Sequence, residues 1–392
     1  MTIRVAVTGV GVVAPCGVGA EAFWQGLHET PPEGDLRSVA DWDPSPLFDN
    51  PKEARRSDRF SQFALAAAHE ALTQAGDLDV DPARIASLIG TGIGGIITNE
   101  EQIVNRHVKG DRRVSPFLVP MMMPNAAAAS VSMRYGFQGA CEATVTACAA
   151  GTHSIGNALA LIRSGRADAA IAGGAEAPLT PTSLAGFRNM TAMSKQGVSM
   201  PFDARRDGFV IAEGAGLLVL ERWDLAEARG ATILAELMGA ASTADAHHIT
   251  APAPGGTGAI RSMEIAIADA GLTAGDVRHI NAHGTSTPLN DAAEAHAVAK
   301  VFGTEGGPIV TSTKGVTGHA LGAAGGLEAV AVVLSIAKKR IPPTLGLAER
   351  DPELPDIDIV TGDGRDWEPG PAMSNSFGFG GHNGSVVIGP AA

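Results

Sequence analysis

Apolar runs that are each followed by a glycine-rich turn and a helical run recur along this chain, and this alternation constrains its fold most. The runs predicted as strands are Ile3–Val7, Ile85–Gly90, Ala169–Gly173, Gly216–Leu220, His279–Ala282 and Ile309–Ser312. The segments predicted as helices are Asp58–Ala75, Gly151–Ser164, Thr257–Ala270, Asp291–Phe302 and Gly325–Ala337. Such alternation is typical of a sheet packed between helices. The sequence therefore predicts an α/β fold with buried strands.

Two segments of the chain resemble each other loosely. Thr146–Arg163 and Thr311–Arg340 each pass through glycines into a helix of small residues that has a basic end. An internal duplication explains this similarity. We place the division near residue 245, which predicts an N-terminal half of residues 1–245 and a C-terminal half of residues 246–392.

Composition and the N-terminus bear on where the protein works. Hydrophobic residues make up 45% of the chain and charged residues 18%, which favours a compact globule. The N-terminal run has the β-branched residues and glycines of a strand, and the longest apolar run, near residues 327–337, is too short to cross a bilayer. Three cysteines fit reduced thiols better than a disulfide framework. These features predict a cytoplasmic protein that does not enter a membrane.

The charge balance limits the partners that the protein can bind. A formal net charge of −13 argues against non-specific nucleic-acid binding, which needs a basic face. Local basic clusters still exist, and they comprise Lys52, Arg55, Arg56, Arg59, Arg112 and Arg113. They indicate either a docking patch for an acidic protein or ordinary solvated surface.

Two cofactor patterns are present only superficially. Gly9–Ala14 follows a strand and matches the loose dinucleotide-binding pattern, but Pro15 and Gly17 interrupt the helix that should hold a pyrophosphate. Cys141, Cys148 and His153 include no CxxC pair and have no fourth ligand nearby, so we predict no zinc site. Neither a nicotinamide cofactor nor a metal is expected.

Cys148 is the first candidate for chemistry. It lies between a β-like run and a helix-like run, and a helix N-terminus there would lower its thiol pKa from about 8.5 to roughly 3.5–7.5. Backbone N–H groups at such a turn would also hold an oxyanion. The alternative is a small buried hydrophobe among alanines, which is the expected role of Cys141.

His283, His319 and Lys314 lie at similar positions in the C-terminal half. His283 directly follows a predicted strand, and His319 follows Lys314 and opens a helix of small residues. Each histidine alone is more often structural than catalytic. Together with a cysteine in the same setting, the set predicts an active site.

The motifs around these residues are specific. They are Thr146–Ala149 with Cys148, Ala172–Glu176, Pro201–Phe209, Asn281–Thr287, Ser312–Lys314 with Gly318–His319, and Asn375–Gly381. In this order they resemble the β-ketoacyl-[acyl carrier protein] synthases, most closely the synthase II type and the related polyketide ketosynthases. The resemblance covers essentially the whole chain.

This resemblance implies a thiolase-like five-layered αβαβα fold of two duplicated halves, usually in a homodimer. It also implies a ping-pong reaction in which a cysteine takes an acyl chain from acyl carrier protein. Malonyl-loaded carrier then loses CO2, and the resulting enolate attacks the bound acyl group. The phosphopantetheine arm belongs to the carrier protein, so no further cofactor is expected.

The resemblance also assigns roles to residues. Cys148 matches the nucleophile, His283 and His319 match the donors that stabilise the enolate, and Lys314 and Glu328 match groups that support them. The backbone N–H groups of Cys148 and Phe379 match the oxyanion hole, and the Phe379 ring matches the gate of the acyl pocket. The residues that match substrate contacts are Thr285, Thr287, Ile93 and Phe202. The residues that match the docking site for the carrier protein are Lys52, Arg55, Arg56, Arg112 and Arg113.

Several alternatives remain at this point. A ketosynthase of a type II polyketide or specialised fatty-acid pathway, working with a chain-length factor in a heterodimer, carries the same motifs. A chain-length factor itself lacks the nucleophile, so Cys148 speaks against it. Degradative thiolases use a second cysteine in the C-terminal half, where this chain has none. His382 stands where synthase II enzymes commonly have threonine.

Overall fold

Strands and helices alternate along the chain in a computed structural model that describes residues 3–31 and 34–391. The strands are β1 (Val5–Ala14), β2 (Gly17–Val18), β3 (Leu36–Arg37), β4 (Ile85–Gly90), β5 (Cys141–Glu142), β6 (Ala169–Glu176), β7 (Ile211–Ala212), β8 (Gly214–Arg222), β9 (Ala235–Ala244), β10 (His279–Asn281), β11 (Ile309–Thr311), β12 (Arg340–Ile341), β13 (Arg365–Asp366), β14 (Ala372–Gly378) and β15 (His382–Pro390). The α-helices are α1 (Ala20–Gly26), α2 (Pro51–Ala54), α3 (Arg59–Ala75), α4 (Ile96–Lys109), α5 (Leu118–Met122), α6 (Ala126–Tyr135), α7 (Ala150–Arg163), α8 (Pro181–Asn189), α9 (Trp223–Ala228), α10 (Thr257–Asp269), α11 (Pro288–Phe302), α12 (Lys314–Thr317) and α13 (Ala324–Lys338). The predicted α/β class is confirmed.

The central sheet consists of two five-stranded parts with the same topology and of the short strand β2, which pairs with β1. One part has the order β5-β4-β6-β8-β1 and the other has the order β11-β10-β14-β15-β9. In each part the first two pairings are parallel and the last two are antiparallel. Only two residue pairs join β1 to β9. This repetition is the duplication that the sequence predicts.

The boundary of the repeat is a separate question. β9 occupies in the second part the position that β1 occupies in the first, so strand order alone groups β9 with the C-terminal half. The division into residues 1–245 and 246–392 falls just after this strand and stays a prediction.

Helices cover the apolar faces of the sheet and so form the layers of the fold. Helices α7 and α13 pack against each other and against the sheet on both sides, and they form the middle layer. They approach closely because Gly151 meets the α13 backbone: a Cβ added there would lie 2.8 Å from the Gly326 nitrogen. Helices α3 and α6 cover one outer face, and α10 and α11 cover the other. The arrangement is the predicted five-layered αβαβα fold.

Helix α13 explains the most apolar part of the chain. The stretch Leu321–Lys338 has a mean hydropathy of 1.6 and by length and composition is able to cross a membrane, but 83% of it is buried inside the protein. Among the described residues it is the one stretch of this kind. It serves as the core helix of the middle layer.

The pattern Gly9–Ala14 lies within β1 and forms no strand-to-helix turn. A Cβ at Gly11 would lie 1.8 Å from the Ala67 carbonyl oxygen of α3, and one at Gly9 would lie 2.0 Å from that of Ala71. These glycines let α3 pack directly on the strand, which is a structural use of the pattern.

Candidate active site

Cys148 lies in a 3₁₀ turn, Ala147–Ala149, that leads directly into α7. The residue before it, Ala147, has a φ of 50°, a left-handed conformation that is strained for a residue with a side chain. The chain therefore turns sharply at the cysteine. The thiol is buried, with 6% of the residue exposed.

Burial raises the pKa of the Cys148 thiol to about 11, although the Lys314 charge and the Phe379 backbone N–H group act in the opposite direction. The sequence-based prediction of a lowered thiol pKa is therefore wrong. The helix start does lie where it was expected, but removing a thiolate from water has the larger effect. Cys148 carries its proton at neutral pH.

His319 lies beside this thiol. Its Nε2 atom is 3.1 Å from Sγ of Cys148. The His319 backbone N–H donates to the Val210 carbonyl at 2.7 Å, and the Ala212 N–H donates to the His319 carbonyl at 3.0 Å. Burial, and then the charge of Lys314, lower the pKa of the imidazole well below its usual value. His319 is a neutral imidazole in direct reach of the thiol.

His283 lies on the loop that follows β10. Both oxygens of Glu294 fix this loop, because they accept the N–H groups of His283 at 2.8 Å and Gly284 at 2.7 Å. Burial lowers the pKa of His283 well below its usual value, and the neighbouring charge of Lys314 adds to the effect. The ring centroids of His283 and His319 are 5.2 Å apart.

Lys314 and Glu328 form a buried ion pair next to His283. Lys314 Nζ donates to the His283 carbonyl at 2.6 Å and lies 3.3 Å from His283 Nδ1. Because an ammonium group has only donors, Nδ1 must accept and the imidazole hydrogen must be on Nε2. Burial raises the pKa of Glu328 to about 7, against the attraction of Lys314.

These three side chains meet although they are distant in sequence. The Cys148 sulfur and one ring nitrogen each from His283 and His319 lie within 4.8 Å of one another, and all three residues are buried. They line a cavity of about 400 Å³. Other residues of its wall include Phe377, Phe379, Thr285, Thr287, Pro252 and Leu289.

Some of the predicted substrate contacts lie in the wall of this cavity and others lie outside it. Thr285 and Thr287 lie in the cavity wall, and their hydroxyl oxygens are 2.9 Å apart. Phe379 is half-buried at the same cavity. Ile93 is not in this wall but packs against the apolar cluster that contains Cys148 and Leu321.

Phe202 does not lie in the wall of this cavity, and its role as a substrate contact stays a prediction. The residue is fully buried in the apolar core beside α10 and α11. Its backbone N–H donates to Asp291 at 2.9 Å. Its ring lies behind Gly284, where it supports the His283 loop from the core side.

Sequence reasoning gave no role to Glu176, although it quoted the motif that contains it. The carboxylate is fully buried and accepts from Thr91 Oγ1 at 2.8 Å, the Gly322 N–H at 3.0 Å and the Ile93 N–H at 3.2 Å. Burial raises its pKa to about 7. Glu176 thus joins the Ile93 loop to the 3₁₀ turn Leu321–Ala323 that follows His319. The signal for this residue in the sequence was an acidic side chain at the end of an apolar predicted strand.

The predicted docking residues are exposed, and they are Lys52, Arg55, Arg56, Arg112 and Arg113. The Arg56 guanidinium lies 4.4 Å from the ring centroid of Phe117, which follows the turn Asp111–Arg113. This contact places Arg56 against the segment that follows Arg112 and Arg113 in sequence. Arg59 differs, since it forms an ion pair with Glu213 at 2.8 Å.

The chain matches known sequences over most of its length. Residues 28–226 match the family described as "Beta-ketoacyl synthase, N-terminal domain", and residues 234–348 match "Beta-ketoacyl synthase, C-terminal domain". A relative from Synechocystis named 3-oxoacyl-[acyl-carrier-protein] synthase 2 is 45% identical over 404 residues. That match covers 97% of this chain and 96% of the relative.

Solved structures give a similar picture. A type II polyketide synthase acyl-carrier protein in complex with its ketosynthase bound to the hexaketide has a TM-score of 0.90 at 34% identity. The ishigamide ketosynthase/chain length factor has a TM-score of 0.93 at 31% identity. Both matches cover 100% of this chain and 100% of the other. The similarity therefore includes every part of the cavity described above.

Proposed function

This chain belongs to the β-ketoacyl synthase family, and we propose on that premise that Cys148, His283 and His319 carry out its reaction. The protein is a condensing acyltransferase, a 3-oxoacyl-[acyl-carrier-protein] synthase that extends acyl chains in fatty-acid synthesis. Malonyl-carrier loses CO2 and joins an acyl chain held on cysteine. The observation that supports these residue roles is the meeting of one thiol and two imidazoles in one buried site.

The first half-reaction loads the acyl chain onto Cys148. The thiol is protonated at rest, so its proton must leave as Sγ attacks the incoming thioester. His319 Nε2 is the base in reach at 3.1 Å, and as a neutral imidazole it is able to accept. The S–acyl bond to Cys148 forms, the bond from the acyl carbon to the pantetheine sulfur breaks, and that sulfur receives the proton from His319.

Backbone N–H groups would stabilise the tetrahedral intermediate of this step. The N–H groups of Cys148 and Phe379 face the same space, and the Phe379 N–H points at Sγ. Gly378 makes this approach possible, because a Cβ there would lie 3.0 Å from the Cys148 nitrogen. We assign the oxyanion hole to this pair of N–H groups.

The second half-reaction forms the carbon–carbon bond. The bond to the malonyl carboxylate breaks, CO2 leaves, and the electron pair moves onto the thioester oxygen as an enolate. The Nε2 hydrogen of His283 stabilises this oxygen. His319 adds a second donor when its single imidazole hydrogen moves from Nδ1 to Nε2, which becomes possible once Cys148 is acylated and no longer donates to Nε2. The enolate carbon attacks the acyl thioester, and the Cys148 thiolate leaves and regains a proton from water.

Acyl carrier protein is the proposed partner, and its phosphopantetheine arm is the proposed occupant of the cavity mouth. Thr285 and Thr287 line the same cavity as the two histidines, and each carries a hydroxyl group. They are able to donate to the amides of such an arm. The chemistry needs no cofactor of the enzyme's own, and the exposed basic surface around Arg56 is suited to an acidic carrier.

A direct assay tests this function. Purified protein is given acyl-carrier and malonyl-carrier, and mass spectrometry follows the 3-oxoacyl product and released CO2. We expect a product two carbons longer, formed only when both carriers are present. Absence of any 3-oxoacyl product across carriers loaded with short, medium and long chains would refute the proposal.

A ketosynthase of a type II polyketide pathway is the second candidate. The structural neighbours include such ketosynthases, one of them with a chain length factor, at 31–34% identity. The fatty-acid relative is more similar at 45%, which favours fatty-acid elongation. The two functions differ in their product. One extension of a fully reduced acyl chain supports fatty-acid elongation. Repeated extension without reduction, in the presence of a required second subunit, supports a polyketide ketosynthase.

A homodimer is the proposed assembly. Strand β5 is exposed at the edge of the central sheet and offers unpaired backbone groups to a second copy. Large apolar side chains are exposed on the neighbouring helices and loop, and they include Val119, Met122, Met123, Met133 and Val145. Light scattering should give twice the chain mass, and Met133→Glu should shift it toward the monomer; a monomeric native protein would contradict this assembly.

The cytoplasm is the proposed location. The N-terminal apolar run is folded as β1 inside the sheet, and the one stretch among the described residues that is apolar enough for a membrane is the buried core helix α13. Both segments have structural roles that a processed or inserted segment would lose. Fractionation of cells that produce the tagged protein tests this location.

A further inference from the structure

The active site contains the ligands of a metal site. One thiol sulfur and two imidazole nitrogens lie within 4.8 Å of one another, and all three residues are buried. A thiolate with two neutral imidazoles is a donor set that zinc binds tightly in proteins. Tetrahedral coordination needs such donors roughly 3.3–3.6 Å apart, which small side-chain movements would achieve here. A free thiol enzyme of this kind therefore risks being blocked by zinc.

We propose that Lys314 keeps metal ions out of this site by holding His283 in the tautomer that cannot coordinate them. The ammonium group of Lys314 lies 3.3 Å from Nδ1 of His283 and has only hydrogens to offer. Nδ1 must accept, so the hydrogen is on Nε2, the ring nitrogen that is not occupied by Lys314. A nitrogen that carries a hydrogen has no lone pair for a metal.

The balance of protons shows why Lys314 is decisive. Zinc binding would release the Cys148 thiol proton to water and move the His283 hydrogen from Nε2 to Nδ1. Nδ1–H would then point at the Lys314 ammonium, and two donors would face each other in a buried site. The positive charge of Lys314 would also lie close to a dication, and such repulsion is large away from water.

The position of Lys314 is firmly fixed. Lys314 is 1% exposed, pairs with Glu328 and donates to the His283 carbonyl at 2.6 Å. It cannot turn away from His283 without breaking these contacts. The same arrangement presents Nε2–H to substrate, so this inference rests on the proposed function for its purpose. Metal binding itself is measurable without any substrate.

The test compares zinc binding by the native protein with that of a variant in which both charges are removed. Lys314→Met with Glu328→Gln avoids leaving a buried carboxylate unpaired, and Glu328→Gln alone is the matched control that keeps the ammonium group. Zinc affinity is measured by competition with a coloured chelator. Cobalt(II) is used as a second probe, because a thiolate ligand gives it a charge-transfer absorption band.

We expect the double variant to bind one zinc at least about 100-fold more tightly than the native protein and the Glu328→Gln control. Adding Cys148→Ser to the double variant should remove both the tight binding and the cobalt–thiolate band, whereas Cys141→Ser should change neither. Circular dichroism confirms folding of each variant.

Tight zinc binding by the native protein would overturn the inference, and so would unchanged weak binding by a folded double variant. If the double variant does not fold, Lys314→Gln with Glu328→Gln replaces it, with the same two outcomes. Condensation activity of the native protein is measured separately, so a failure of the proposed function is distinguishable from a failure of this inference.

Discussion

Nε2 of His319 lies 3.1 Å from Sγ of Cys148, which places a neutral imidazole against a protonated thiol. The pair is therefore a protonated thiol beside a neutral imidazole base, and not a preformed thiolate and imidazolium. Burial accounts for both states, because it disfavours the charged form of each group. Catalysis in this arrangement removes the proton only when a thioester is present to be attacked.

The first prediction concerns the pH dependence of Cys148 alkylation. Its thiol pKa is raised to about 11, so the thiolate fraction should rise about tenfold for each pH unit across the neutral and mildly alkaline range. The rate of modification by iodoacetamide, followed by mass spectrometry of the Cys148 peptide, should rise in the same proportion and reach no plateau below about pH 10. A plateau near neutral pH would show a preformed thiolate and contradict this pKa.

The second prediction separates the two half-reactions. Cys148→Ala should abolish condensation, because no group remains to hold the acyl chain. Release of CO2 from malonyl-carrier should continue, because His283 and His319 still face the cavity. The measurements are product formation by mass spectrometry and CO2 release from labelled malonyl-carrier. Condensation by the purified variant would exclude Cys148 as the nucleophile.

The third prediction concerns His283 as a donor to the enolate. His283→Ala removes one preorganised donor from a buried site, so decarboxylation should slow by about 100- to 1,000-fold. Loading of Cys148 from acyl-carrier should change much less, since His319 is the residue beside the thiol. His296→Ala, at an exposed histidine of α11, is the control. Equal loss of both half-reactions would indicate a structural role.

The fold was largely predictable because its strands are short, apolar and separated by glycine turns. Ile85–Gly90 forms β4 with the predicted bounds, and the predicted helices and the other predicted strands appear with small shifts at their ends, except that β1 (Val5–Ala14) runs well beyond the predicted Ile3–Val7. β9, β14 and β15 were missed. Small and polar residues dominate them, as in Ala235–Ala244, and their burial comes from the layers around them. Local patterns do not carry that information.

The site was predictable as a set of residues but not as an electrostatic environment. Motif and position identified Cys148, His283, His319 and Lys314, and the structure places them in contact. The sign of the Cys148 pKa shift was missed, because a helix start is visible in sequence whereas the depth of burial is not. The surroundings of Phe202 were not visible in sequence for a similar reason: its motif lies near the site, but its ring packs in the apolar core.

The fourth prediction concerns Glu176, whose hydrogen bonds link the Ile93 loop to the turn Leu321–Ala323. Glu176→Gln keeps one acceptor oxygen and turns the other into a donor, so either the Ile93 N–H or the N–H groups of Gly92 and Gly322 lose their acceptor. Leaving such groups unsatisfied in the core should reduce the free energy of unfolding by about 2–4 kcal/mol. Urea denaturation measures this change, and Glu264→Gln on the exposed face of α10 is the control. Equal stability of the two variants would show that these hydrogen bonds of Glu176 do not stabilise the fold.

The fifth prediction tests the basic surface as the docking site for acyl carrier protein. Arg56 and Arg113 are exposed, and Arg56 lies against Phe117, which follows Arg113 closely in sequence. Reversing their charge should weaken carrier binding and leave the buried chemistry intact. Arg56→Glu with Arg113→Glu should raise the KM for malonyl-carrier about tenfold or more at low salt, with kcat nearly unchanged.

The salt dependence of this effect separates docking from a general loss of function. Attraction between exposed charges is screened as ionic strength rises, so the difference between the native protein and the charge-reversed variant should shrink at high salt. Lys300→Glu, an exposed charge reversal at the end of α11, is the control and should leave the KM unchanged. If it raises the KM as much as the Arg56 and Arg113 changes do, net charge and not this surface governs carrier binding.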